Sequence, residues 1–382
     1  MPSTYGPNEI PVFQSAVHPN RDAEFRATAP PTRIIKEAKK ETIMCCTNCG
    51  KLGDSEDADM KKCAECKTVQ YCSRNCQKEN WPKHKLNCSS DLGEGIQPLI
   101  KAFTANPMLS HYLEICLSLE FDLHRINPRH EKGQIILRSA LLVRIDVGIE
   151  PTKITDFMNL YTFGDEWDQD ELEGMLQLHH LTSTRSGIPI EAITDTNISM
   201  WKHTRGTADE DGDTDRAVVL VQFVNNFKQA ITCPIVVGEE ALKSARRAKP
   251  FTSCSALTGK ETDHPLSIAS CFEYMNTHIR SDKSNRLLLR AQMLESDKNL
   301  IREAGRNADS HAPQSLRVKV QREGVYVSHR IVLPPGGALG AARRDPLPLE
   351  RQIEGAPDAP PRNRAERRRL EQELKKQQKR RK

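Results

Sequence analysis

Eight of the twelve cysteines crowd into 44 residues, at positions 45, 46, 49, 63, 66, 72, 76 and 88. With its gaps written out, the block runs Cys46-x2-Cys49-x13-Cys63-x2-Cys66-x5-Cys72-x3-Cys76-x7-His84-x3-Cys88. The chain opens MPSTYGPNEIPVF, with neither the basic start nor the apolar stretch of an export signal. It is therefore expected where thiols stay reduced, and dense cysteine there reads as metal ligation rather than disulfides. Seven thiols and one imidazole are enough for two closed tetrahedral zinc shells, with Cys45 left over as a spare thiol. Closed, thiolate-rich shells keep no position for water, so both ions are expected to be structural rather than catalytic.

The gaps carry local geometry. A Cys-x2-Cys gap suits a tight turn that aims two thiolates at one ion. Ligands at i and i+4 share a helix face. Cys72/Cys76 and His84/Cys88 are thus each expected on a helical turn, with Pro82 opening the second helix. Spacing leaves two pairings open. Sequential pairing gives two independent fingers in a row. Interleaved pairing puts Cys46, Cys49, Cys72 and Cys76 on one ion and Cys63, Cys66, His84 and Cys88 on the other, so that metal ties the ends of the block to its middle.

The ligand order, with histidine in the seventh place, together with Tyr71-Cys72, Cys76-Gln77, Trp81 and His84-x3-Cys88, resembles the MYND-type zinc finger over residues 46–88. RING and PHD patterns place their histidine earlier. The resemblance implies the interleaved pairing and two structural zinc ions. It also implies a groove for short proline-containing peptides beside the second helix, lined by Gln77 and Trp81, with Tyr71 in the small core. SET-and-MYND lysine methyltransferases have a similar finger, but they carry Asn-His-Ser-Cys after it and a glycine-rich segment before it. This sequence has no Asn-His pair and no Gly-x-Gly within residues 1–45.

Outside the block the expected fold class is α+β. Residues 1–44 read as a flexible arm with a lead-in helix at 33–40, and 95–333 as a larger mixed domain. Residues 334–382 read as a disordered Pro/Gly linker followed by a basic helical tail. Helical spacing marks 108–123, 239–248, 266–279 and 286–303. Leu141, Val143, Ile145 and Val147 alternate as a half-buried strand. Ala217–Val224 reads as a buried strand, and Gln229–Val237 as its neighbour, pushed to a sheet edge by Pro234. Residues 316–333 alternate about Glu323-Gly324 and read as a hairpin.

The formal charge of +5 is concentrated: residues 362–382 hold eleven basic and three acidic side chains, leaving the rest of the chain at −3. That tail suits a nuclear import signal or a weak, sequence-blind contact with nucleic acid, since no aromatic residue is interleaved for base stacking. No run approaches the roughly 18 apolar residues of a membrane helix, and the location expected is intracellular, the tail favouring nucleus over cytoplasm. ADEDGDTD at 208–215 reads as a solvated acidic turn, because aligning Gly212 with a calcium-loop glycine puts Thr207 and Val218 where carboxylates are needed. His179-His180 has no ligand partner at useful spacing and reads as surface or core histidine. Cys116, Cys233, Cys254 and Cys271 read as small buried hydrophobes. The chain is expected to be a non-enzymatic zinc-binding adaptor for a partner protein bearing a proline-containing peptide. The alternatives are an enzyme of unrecognised type in the central domain and a nucleic-acid-associated factor acting through the tail.

Overall fold

Seen in a computed structural model, the chain begins with β1 (Glu9–Phe13), α1 (Pro19–Thr28), α2 (Thr32–Glu41), β2 (Lys61–Lys62), β3 (Gln70–Tyr71) and α3 (Arg74–His84). It continues with α4 (Gln97–Thr104), α5 (Pro107–Glu120), α6 (Glu131–Leu137), β4 (Leu141–Pro151), α7 (Ile154–Phe163), β5 (Glu173–Ser183), α8 (Asp195–Glu210), β6 (Val218–Asn225) and β7 (Gln229–Val236). Last come α9 (Glu239–Arg247), β8 (Phe251–Cys254), β9 (Glu261–His264), α10 (Ile268–Ser281), β10 (Arg290–Gln292), α11 (Glu295–Gly305), α12 (His311–Glu323) and β11 (Ser328–Val332). The structure describes residues 9–13, 19–41, 45–51, 53, 60–67, 69–86, 88, 95–189, 192–226, 229–254, 261–323 and 328–332. Residues 11–330 fall in one compact unit; of a second, the described residues are Glu9, Ile10, Ile331 and Val332. The linker and basic tail expected over 334–382 lie outside the described residues.

Helix and sheet are mixed, as an α+β class requires. The central sheet has the order β10-β5-β4-β6-β7. Only the β4–β6 pairing in it is parallel, Leu141 lying opposite Val219 and Val147 opposite Asn225. Along β4, Val143 and Ile145 enter the main core with Val219, Val221 and Phe223 of β6, packed against Leu113 and Leu117 of α5 and Phe272 of α10. Leu142 and Leu220 point the other way and pack with Met200 of α8 and Ile188. Helices therefore cover both faces, and β4 is buried nearly throughout instead of the half-buried alternation expected for Leu141–Val147. Caps set several boundaries: Asn106 accepts N–H bonds from Met108 and Leu109 to start α5, and Ser267 and Ser270 form a reciprocal capping box on α10.

Three expectations change. Residues 316–323 belong to helix α12 and not to a hairpin strand. Alternating Leu316, Val318 and Val320 resemble a strand, but the residues that go inside are Leu316, Lys319 and Glu323, spaced at helical intervals. The segment 286–303 is split: Arg290–Gln292 is a strand beside β5, and the helix starts only at Glu295. Within the arm expected at 1–32, Pro19–Thr28 is helical, and Phe25 is buried against His278 with ring centroids 4.9 Å apart. Pro234 does sit in an edge strand, β7. Among the described residues no helix is long and apolar enough to cross a membrane.

Candidate functional site

The cysteine block builds its turns from backbone hydrogen bonds that repeat. Gly50 N donates to the Cys46 carbonyl at 2.9 Å, and Lys67 N donates to the Cys63 carbonyl at 3.0 Å. Each turn so brings two thiols side by side, and each ends in a left-handed residue, Gly50 at φ 71° and Lys67 at φ 54°. At Gly50 a side chain is doubly excluded, since a Cβ there would also lie 2.9 Å from the Thr196 carbonyl oxygen. Thr47 N bonds the Gln70 carbonyl at 2.9 Å and ties the first turn to β3. Next to it the Tyr71 ring is fully buried, its hydroxyl accepting from Asn80 Nδ2 at 3.0 Å.

Helix α3 then serves both ligand sets. Ser73 caps it by accepting from Cys76 N at 3.2 Å, which fixes Cys76 in the first turn just after Cys72. His84 is its last helical residue and is buried. The helix runs unbroken through Pro82, so the expected second helix opening at that proline does not form. Pro82 costs one backbone hydrogen bond, near the helix end where the loss is tolerable. Cys88 lies beyond the helix.

These turns and one helix bring the eight residues together as two interleaved tetrads. Cys46, Cys49, Cys72 and Cys76 form one and Cys63, Cys66, His84 and Cys88 the other, the ligand atoms of each lying within 4.8 Å of one another. Neighbouring atoms are 3.6 Å apart for Cys49–Cys72, 3.5 Å for Cys72–Cys76, 3.8 Å for Cys63–Cys88 and 3.5 Å for Cys66 Sγ to His84 Nε2. Zinc–sulfur bonds of about 2.3 Å put tetrahedral neighbours about 3.8 Å apart. A disulfide would need about 2.05 Å. The donor set therefore fits two zinc ions and no cross-link.

The electrostatics agree. Burial and the crowding of neighbouring thiols push Cys72 and Cys88 up to about 12. Burial raises Cys46 too, but the backbone N–H groups of Cys49, Cys72 and Asn48 outweigh it and bring that thiol down to about 7. Burial also lowers His84, which favours the neutral imidazole that a metal requires. Bound zinc supplies the positive charge that lets all the thiols ionise together. Cys45 joins neither tetrad. It packs beside Leu142, Met200 and Leu220, and burial raises its thiol to about 11.

Docking gives the finger an inner and an outer side. Thr196 Oγ1 on α8 donates to the Asn48 carbonyl at 3.2 Å, beside the close approach at Gly50. Elsewhere in the block, Trp81 is 44% exposed and Leu86 78% exposed. Trp81 touches His84 edge-on, with ring centroids 5.8 Å apart. Gln77 lies one helical turn earlier and is half-buried.

A second cluster of chemical groups, invisible in the sequence, lies in the central domain. At the β4–β5 pairing Asp146 faces His180 and Val147 faces Leu178, which leaves His179 as an inserted bulge residue. Its ring lies across Gly148, where a Cβ would come 2.5 Å from Cε1, and its Nε2 is 2.9 Å from Glu150 Oε1. Lys319 of α12 reaches both Glu150 oxygens at 2.6 Å, and Glu323 at 3.7 Å. Glu323 also holds Asn276 Nδ2 at 2.6 Å and pairs with Arg280. Burial alone would raise Glu150, but the Lys319 ammonium and His179 reverse that and hold it well below the ordinary carboxylate range. His179 is thus a core histidine with a carboxylate partner 29 residues away, too far for sequence spacing to reveal.

The acidic segment at 208–215 holds no ligand cluster: Asp209 is 2.6 Å from Arg138 Nη1 and Asp213 2.8 Å from Arg216. Helix α8 runs on to Glu210, so the turn begins later than the sequence reading has it. Cys116 and Cys271 are buried, and Cys233 is half-buried; Cys254 lies in β8, its side chain outside the described residues.

Residues 94–326 match a family model described as a domain of unknown function (DUF8205). The chain belongs to that family. In this member, residues 46–88 are a MYND finger, matched by the model of that name. The curated relatives align with this family member over the finger alone. N-lysine methyltransferase SMYD2-B of Danio rerio is 49% identical over 41 residues, 10% of this chain and 9% of that protein. The zinc finger MYND domain-containing protein 10 homolog of Drosophila melanogaster is 68% identical over 28 residues, 7% of this chain and 6% of its own. SET domain and MYND-type zinc finger protein 6 of Schizosaccharomyces pombe is 42% identical over 45 residues, 12% and 8% respectively. The alignments span under a tenth of the length of these relatives. No solved structure matches.

Proposed function

We propose that this zinc-binding, protein-interacting chain is a non-enzymatic adaptor whose finger captures a proline-containing peptide of its partner. The observation that carries the reading is the two-sidedness of the finger. Its first turn is fastened to α8, while Trp81 of α3 stands 44% exposed, one turn after Gln77. An exposed tryptophan on a rigid support is an efficient anchor, because little conformational entropy is lost when a ligand covers it. Proline-rich ligands are already extended, so their docking costs little as well. Both tetrads are full without a water, and the central charges around Lys319 are sealed from solvent; both observations support a binding rather than a catalytic role. The basic segment 362–382 adds weak, sequence-blind nucleic-acid contact and nuclear entry to the same proposal.

Affinity for a short peptide with two spaced prolines, measured with zinc content on the same Trp81→Ala sample, tests the proposal. Lost binding at unchanged zinc supports it. Unchanged affinity rejects the groove, and so does loss of zinc together with binding, which would make Trp81 part of the finger's own packing.

A further inference from the structure

A cavity of about 460 Å³ opens among α1, α5, the end of α9, the start of β8 and α10, with no residue of the finger in its lining. That volume lies in the range of small-molecule sites, roughly 300–1,000 Å³. Three features of its wall are chemically distinct.

The first is aromatic. The rings of Tyr112 and Tyr274 lie 4.5 Å apart between centroids at an angle of 33°, and Phe251 stands edge-on to Tyr274 at 5.3 Å. All three are only half-buried, so ring surface stays open in the cavity they line. Such a platform takes a planar ring, and nucleic-acid bases stack on it whatever their sequence.

The second is cationic. Arg247 and Lys249 line the cavity on either side of Ala248, whose left-handed backbone at φ 46° ends α9. Both residues are exposed. Lys243 and Arg246 of the same helix are paired with Glu240 and Glu239. Among the described residues, Arg247 and Lys249 have neither an ion pair nor a side-chain hydrogen bond. A guanidinium and an ammonium side by side suit a phosphate group.

The third is Glu24 of α1, which is half-buried. Its Oε1 accepts from the Tyr274 hydroxyl at 3.1 Å, which holds the carboxylate beside the aromatic wall. A carboxylate has about four acceptor positions, so it can take a further N–H donor. It repels a bare anion and favours a ligand whose aromatic end donates.

We propose that this cavity binds a free mononucleotide with an amino-bearing base, of the adenylate type. The base lies against Tyr112, Tyr274 and Phe251 and gives its amino N–H to Glu24, while the phosphate lies between Arg247 and Lys249. Ring, amine and phosphate each answer one feature of the wall. A bare anion or a neutral aromatic ring does not answer all three. This site is independent of the peptide groove on the finger.

Calorimetric titration of the full zinc-loaded chain tests the assignment with AMP and with probes that each lack one part of it. AMP is expected to bind with a dissociation constant below about 1 mM, in keeping with its size. Adenosine, without phosphate, ribose 5-phosphate, without base, and purine riboside monophosphate, without the amine, should each bind about tenfold more weakly or worse. Arg247→Ala with Lys249→Ala should reduce AMP to the adenosine level while leaving adenosine unchanged, and both positions are exposed, so the fold is not at stake. Glu24→Ala should reduce AMP to the level of purine riboside monophosphate while leaving that probe unchanged, which reports that the cavity is intact. The proposal is overturned by absent AMP binding, by any of the three partial probes matching AMP (an anion patch only, in the case of ribose 5-phosphate), or by full AMP binding in the double variant. Tighter binding of a short oligoadenylate than of AMP would also overturn it, in favour of a nucleic-acid strand.

Discussion

The finger and the central domain are built on opposite terms. In the finger, the buried cluster consists of Cys46, Cys63, Cys66 and Tyr71, so the ligands themselves are the core. In the central domain, residues such as Leu113, Phe157, Phe223 and Phe272 form an extensive apolar core, and the charges of Glu150, Lys319 and Glu323 are enclosed beside it. One region is too small to bury enough apolar surface and relies on metal. The other has enough to cover a fully buried lysine. Polar groups are internal in both, but in the finger they converge on metal ions, and in the domain they satisfy one another.

The largest test of this contrast is removal of metal. Cys76→Ser, or chelation of zinc, should unfold the finger outright, because binding free energy on the order of 10 kcal/mol per site is its folding free energy. The cooperative unfolding of the central domain should survive, as followed by circular dichroism alongside zinc analysis. Collapse of both together would break the comparison.

Next in size is the enclosed charge cluster. Lys319→Met should cost the central domain about 3–5 kcal/mol in urea unfolding, since it strands Glu150 without its ammonium partner, while Glu323 keeps Arg280. Zinc content should not change. The pH dependence has a fixed sign. A carboxyl group held below its usual range binds a proton less readily folded than unfolded, so the stability contributed by Glu150 is complete above about pH 4.5 and is lost progressively as pH falls below it. Acid titration of the native chain and of Lys319→Met should therefore converge at low pH, and parallel curves would contradict the assignment.

A smaller effect is expected at the outer side of the finger. Trp81→Ala should weaken peptide binding by roughly thirtyfold, about 2 kcal/mol, with both zinc ions retained. The smallest concerns the joint between the regions. Thr196→Val removes the hydroxyl that donates to the Asn48 carbonyl and should cost about 0.5–1.5 kcal/mol. Faster amide exchange around Asn48, with no change in metal or in sheet protection, is the expected readout; unaltered exchange would mean that packing at Gly50 holds the joint alone.

The metal site was the most legible part of the sequence because its information is local and chemically exclusive. Cys46 and Cys49, or Cys72 and Cys76, are neighbours along the chain, and few uses other than a metal explain so many thiols so close together. Even there, spacing left two pairings open, and it was the single helix Arg74–His84, lending Cys76 to one tetrad and His84 to the other, that interleaved them. The buried strand Val218–Asn225 was visible as a continuous apolar run, and Pro234 marked an edge.

Helix α12 was not legible, and the reason is physical. Its inward face includes Lys319 and Glu323, which any reading of hydrophobic period assigns to solvent, and the remaining valines then imitate a strand. Those charges can be buried only because Glu150, 169 residues away along the chain, and Arg280, 43 residues away, arrive at the same place. The bulge that turns His179 onto Glu150, and the absent side chain at Gly148 that makes room for its ring, depend on the pairing of two strands and leave no local trace. Sequence alone determined where metal would be held, since thiolate chemistry acts over a few residues. Which charges could live inside the protein was decided only by tertiary structure, because the free energy of a buried charge belongs to its surroundings and not to its neighbours along the chain.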